Sequence, residues 1–104
     1  MKKKFSWSGY TNNDPGHQTL HGFLTLDVQN SPEYALELIT NIQAYLNDGK
    51  EQCEGTGNGY VFECQPEGLF LDCLYEGDEL TPVIVDYQVV LEALKEWITY
   101  CQKQ

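Results

Sequence analysis

An α+β domain is predicted, with an antiparallel sheet of about four to five strands and two helices in the order β-β-α-β-β-(β)-α. Three observations carry this expectation. Apolar residues alternate with polar ones through "YVFECQPEGLFLDCL". They recur at helical spacing in "SPEYALELITNIQAYLNDG" and "DYQVVLEALKEWITYCQ". Clusters of turn-forming residues, "TNNDPG", "GTGNG" and "QPEG", punctuate the chain.

The first strand is expected where Phe5, Trp7 and Gly9 alternate with Ser6, Ser8 and Tyr10, and "TNNDPG" supplies its exit turn. From His17 the alternation resumes, with Leu20, Gly22, Leu24, Leu26 and Val28 on one face and His21, Phe23, Thr25 and Asp27 on the other. A long second strand, antiparallel to the first, follows from that pattern. The period then changes: Ala35, Leu38, Ile39, Ile42 and Leu46 form a helical stripe flanked by Tyr34 and Tyr45. Ser31 suits its N-cap, Pro32 the first helical position, Glu33 and Glu37 the positive end of the dipole, and Gly49 the C-terminal stop.

Beyond the glycines, a hairpin closing over Gln65 to Gly68 sets Cys64 opposite Leu69, Phe62 opposite Leu71 and Tyr60 opposite Cys73. Those six residues make the core face. Val61, Glu63, Phe70, Asp72 and Leu74 take the other. A short run "VIV" leads to the last helix, capped by Asp86, with an apolar stripe of Tyr87, Val90, Leu91, Leu94, Trp97, Ile98 and Cys101.

The 104 residues suit one domain spanning 1–104, and 41 % apolar content is enough to offset the entropy of ordering. Charge is the outstanding compositional fact. Sixteen acidic residues face six Lys and no Arg, for a formal charge of −10. Three of the six lysines sit at positions 2–4, and from Glu51 to Leu94 there is no basic residue at all. Nucleic acids and anionic membranes are bound by neutralising phosphates, so this balance argues against both; it serves either a basic partner or solubility alone. No segment is apolar enough to span a membrane, and "MKKKFSWSGY" lacks the apolar run of a signal peptide. A cytoplasmic location and free thiols at Cys53, Cys64, Cys73 and Cys101 are expected.

Several candidate chemistries fail on residue type or spacing. His17 and His21 lack a third metal ligand, and no CxxC is present, so no metal and no other cofactor is expected. The alternating glycines of "EGTGNGY" precede a strand-like segment, whereas a phosphate loop needs a following helix, so they read as a turn or bulge. A cysteine nucleophile needs a positive surrounding, and here carboxylates abound. No enzymatic activity is predicted. What remains is the mixed outer face of the hairpin: Glu63, Phe70, Asp72 and Leu74, continuing into Glu76, Asp78 and Glu79. Either a second helix or the N-terminal strand covers this face, which would account for its apolar members, or it is open, and apolar anchors ringed by carboxylates are what a surface for a basic protein requires.

The segments "GNGYVFE", "GLFLDCLYEGDE" and "DYQVVLEALKEWITY" resemble the closing half of small bacterial immunity proteins of contact-dependent growth inhibition and related polymorphic toxin systems. The resemblance covers roughly 55–104; the N-terminal half adds compatible size and a strand-strand-helix order. It implies a cytoplasmic inhibitor that binds the C-terminal toxin domain of a large exported effector, often a nuclease. The alternative is an acidic regulatory or adaptor domain that binds a cellular protein without any toxin.

Overall fold

Asp14 and Pro15 open the first regular element of the computed structural model, which describes residues 5–49, 53–75 and 80–103. The Asp14 carboxylate accepts the N–H groups of Gly16 (2.8 Å) and His17 (3.3 Å), and Pro15 takes the first helical position. This cap starts helix α1, Pro15–Phe23, which runs directly into a π-helical turn, Leu24–Val28, closed by the Gln29 N–H to the Leu24 carbonyl at 2.7 Å. The two N-terminal strands expected here are therefore absent from the described residues. The residues 5–10 form no strand but lay Phe5 and Trp7 into the core, and the stretch from His17 to Val28 is helical.

The reason is physical. Leu20, Leu24 and Val28 satisfy a period of two and a period near four equally well. Phe23, which the alternating pattern assigned to the outer face, is only 1 % exposed and packs edge-on against Phe62 and Tyr60. Burying Phe23 beside Leu20 and Leu24 is possible on a helix and not on a strand.

Helix α2, Pro32–Asp48, matches its expected signals: Ser31 Oγ accepts the Tyr34 N–H at 3.2 Å, and Gly49 ends the helix in the left-handed conformation at φ 72°. Ala35, Leu38, Ile39 and Ile42 are buried, but Leu46, expected in the stripe, is exposed. Helix α3, Tyr87–Gln102, starts where Asp86 accepts the Gln88 N–H at 2.8 Å and buries Val90, Ala93, Leu94, Trp97 and Cys101. It packs along α2 and against the sheet.

The sheet has four antiparallel strands in the order β1-β2-β3-β4: Glu54–Thr56, Tyr60–Gln65, Gly68–Cys73 and Val83–Val85. The hairpin register matches the expectation at Tyr60 with Cys73, Phe62 with Leu71 and Cys64 with Leu69. Its loop is tighter than expected, since Gln65 and Gly68 themselves pair and only Pro66 and Glu67 turn. Strand β1 was not anticipated. The element order is thus α-π-α-β-β-β-β-α, an α+β domain with three α-helices where two were expected. Tyr60, Phe62, Cys64, Leu69, Leu71 and Val85 point into the shared core, while Cys73 is half-buried.

Among the described residues no helix is long and apolar enough to cross a membrane. The N-terminal aromatics close the far end of the core. Phe5 meets Trp97 edge-on at 4.9 Å between ring centres, and Trp7 meets Tyr10 at 5.0 Å.

Candidate functional site: the outer sheet face

Strand pairing places the outer-face residues in rows. Glu54, Glu63, Phe70 and Ile84 lie side by side across all four strands. Thr56, Val61 and Asp72 form the adjacent row. Alternation on each strand makes these positions point away from the helices. Glu54, Thr56, Glu63 and Ile84 are exposed, and Val61, Phe70 and Asp72 are half-buried by their neighbours, so no described helix lies over this face.

Three of the expected site residues, Glu63, Phe70 and Asp72, therefore share one open surface. Leu74 follows the end of β3, where its N–H donates to the Gly59 carbonyl at 2.8 Å and its side chain is exposed beside Tyr75. Glu76, Asp78 and Glu79 lie outside the described residues.

The apolar part of the face is larger than the sequence suggested. Phe70, Pro82, Val83 and Ile84 line a shallow depression of about 360 Å³. Ile84 remains 48 % exposed. It was missed because "VIV" has no polar residue to mark its orientation. Only its register against β3, with Ile84 opposite Phe70, assigns it to this face. The carboxylates of Glu63 and Asp72 flank Phe70, one opposite on β2 and one two residues along β3. The segments 53–75 and 80–85, which build the whole sheet, contain no Lys or Arg. The face therefore carries an apolar pair at its β3–β4 side, with carboxylates beside it on β1 and β2 and along β3, and no counter-charge in the strands.

The alternative chemistries read differently in three dimensions. His17 and His21 sit one turn apart on α1, and each is used structurally. His17 Nδ1 accepts the Thr11 N–H at 2.9 Å, while His21 Nε2 lies 3.0 Å from the Phe5 carbonyl. Among the described residues no three His, Cys, Asp or Glu side chains are grouped to hold a metal.

The glycine turn does cradle an anion, but that anion belongs to the chain itself. Asp27, on the π-helical turn, accepts the N–H of Gly59 at 2.7 Å and that of Tyr60 at 3.0 Å. Asn58 Nδ2 donates to the neighbouring Leu26 carbonyl at 3.3 Å. Gly57 is required here, because a Cβ would overlap the Asp27 carboxylate. This clamp fixes the start of β2 and with it the position of the outer face.

A second anchor lies two residues beyond Asp27, just past the π-helical turn. Gln29 adopts φ 57° and ψ −155°, a region almost reserved for glycine. Its carbonyl is held by the Trp97 indole N–H at 2.7 Å and the Ser31 N–H at 2.9 Å. A tryptophan late in the last helix thus has a structural use.

Compared with models of protein families, with curated proteins and with solved structures, the chain matches none of them.

Proposed function

We propose that the protein is an immunity protein that neutralises a basic toxin domain, a nuclease by its charge requirement, in the cytoplasm of the cell that makes it. The observation that carries this reading is the open pair of Phe70 and Ile84, with Glu63 in the same row and Asp72 in the next, and no basic residue anywhere in the strands that build it.

An exposed aromatic-aliphatic pair on a rigid sheet gives a partner something to desolvate, and this supplies affinity. The surrounding carboxylates raise the encounter rate with a positive surface and select against acidic ones. A nuclease site is positive because it binds phosphate, so the complement of such a site has this composition. The likeness of 55–104 to immunity proteins supports the same reading. It now rests on the hairpin and α3 alone, because the N-terminal half is helical and not strand-strand-helix.

The reading is tested with the toxin domain encoded immediately upstream of this chain's gene. Mixing the two purified proteins should give a stable complex that abolishes the toxin's activity, and loss of this protein should leave the cell sensitive. A gene neighbourhood without a toxin, together with normal growth of cells lacking the protein, would instead support an acidic adaptor.

A further inference from the structure

We propose that Cys53 and Cys64 form a redox modification site: a cross-strand dithiol that a low-molecular-weight disulfide oxidises to an intramolecular cystine joining the sheet edge to the hairpin. This does not depend on the function proposed above.

The geometry comes from the register. Glu54 pairs with Glu63, so one step outward Cys53 stands opposite Cys64, and the Cys64 N–H donates to the Cys53 carbonyl at 2.7 Å. Directly opposed residues of such a hydrogen-bonded pair have Cα atoms about 5.5 Å apart, inside the range of roughly 4.4–6.8 Å that a disulfide spans. Opposed residues also share a face, and both cysteines are buried on the core side.

The other cysteines are placed differently. Cys73 shares the core face of the hairpin, but Cys64 lies opposite Leu69, four positions away along β3, or roughly 13 Å. Cys101 sits on α3, its thiol turned to the Gln29 carbonyl at 3.8 Å. All four are free thiols.

The two thiols influence each other. The Cys64 thiol is lowered from its ordinary value chiefly by its neighbour Cys53, against the opposing effects of burial and of the Glu63 carboxylate. Cys53 is raised by its neighbour Cys64 and by burial. Opposed as they are, either thiol can open the exchange and the other resolve it; the steps are the same with Cys64 attacking and Cys53 resolving. Cys53 immediately precedes the edge strand β1, and local opening of that short edge gives a small disulfide access.

The chemistry balances without further reagents. The Cys64 thiolate attacks one sulfur of R–S–S–R, that bond breaks, one thiolate RS⁻ leaves, and Cys64–S–S–R forms. Cys53 then loses its proton to solvent or the departed thiolate, attacks the Cys64 sulfur, and displaces the second RS⁻. Two cysteines are oxidised and one disulfide is reduced to two thiols. Excess monothiol drives the reaction back.

The test uses the native full chain with oxidised glutathione, followed by alkylation, thiol titration in denaturant and peptide mapping. The expected result is a fall from four free thiols to two, with a peptide linking Cys53 to Cys64 that disappears after reduction. Cys53→Ser should stop at a glutathione adduct on Cys64, whereas a Cys73→Ser/Cys101→Ser chain should still form the link. A wild-type map lacking that link overturns the proposal, whether all four thiols stay free or adducts form singly, and this needs no variant to fold.

Discussion

The Asp27 carboxylate accepts two consecutive backbone N–H groups, Gly59 at 2.7 Å and Tyr60 at 3.0 Å, and so ties the π-helical turn to the start of β2 across 32 residues of sequence. Asp27→Ala leaves both donors without an acceptor in a half-buried site. Hydrogen bonds to charged groups contribute about 1.5–3 kcal/mol, so a loss of about 2–3 kcal/mol is expected in urea unfolding. Gly57→Ala displaces the same carboxylate and should cost a similar amount. Combining the two should cost little more than either alone, because both break one contact.

Gln29 is the second point of tension. Its backbone stores strain of about 1–3 kcal/mol, while its side chain returns only one exposed hydrogen bond, from Nε2 to the Leu26 carbonyl at 2.6 Å. Gln29→Gly should therefore leave stability unchanged or raise it, despite the greater entropy of the unfolded chain. Trp97→Phe keeps the packing against Phe5 but removes the indole donor to Gln29, and a loss of about 1–2 kcal/mol is expected. Thermal or urea unfolding of the two variants checks both signs.

How legible these features were depended on where the decisive contact lay. Helix α2, helix α3 and the hairpin register were readable because local signals agreed with burial: Ser31 with Pro32, Asp86 before its stripe, and strict alternation about Pro66 and Glu67. The N-terminal third was misread even though Asp14 and Pro15 carry the same cap signature as Ser31 and Pro32. There the competing turn reading of "TNNDPG" and the double fit of Leu20, Leu24 and Val28 favoured a strand. Strand β1 is three residues long with a central glycine and had no pattern to show. The outer face of Glu63, Phe70 and Asp72 followed from alternation alone, whereas Ile84, Glu54 and the Asp27 clamp depend on pairings between distant segments.

Acidification should release the N-terminal segment before the sheet. Ser8 donates both its N–H, at 3.1 Å, and its hydroxyl, at 2.9 Å, to Glu96, whose carboxyl is lowered chiefly by the backbone donor. A depressed folded-state value means this contribution is complete above the ordinary carboxylate range and is lost as pH falls through the folded value. Glu92, one turn away, is raised by its hydrogen bond to Glu96 and has the opposite sign, so the two titrate as a pair. The protection factor of the Ser8 amide, its exchange measured against the intrinsic rate at each pH, should fall below the carboxylate range while that of Leu71 is kept. In Glu96→Gln, Ser8 exchange should already be fast at neutral pH.

The outer face can be altered without unfolding the domain, because Phe70 is only half-buried and Ile84 is exposed. Ile84→Ser should change stability by no more than about 1 kcal/mol, since much of its apolar area is already in water. It should nonetheless weaken binding to the partner about tenfold or more, through the dissociation rate. Surface plasmon resonance beside a urea titration separates the two effects.

The most direct test of the account is the binding of the upstream toxin domain to Asp72→Lys combined with Glu63→Lys, measured as association rate at several salt concentrations. The wild type should associate fast at low salt and slow steeply as salt rises. The doubly reversed face should associate at least about tenfold more slowly at low salt and show little or inverted salt dependence. Unchanged rates and an unchanged salt slope, in a variant that remains folded, would contradict the assignment of this face as the docking surface.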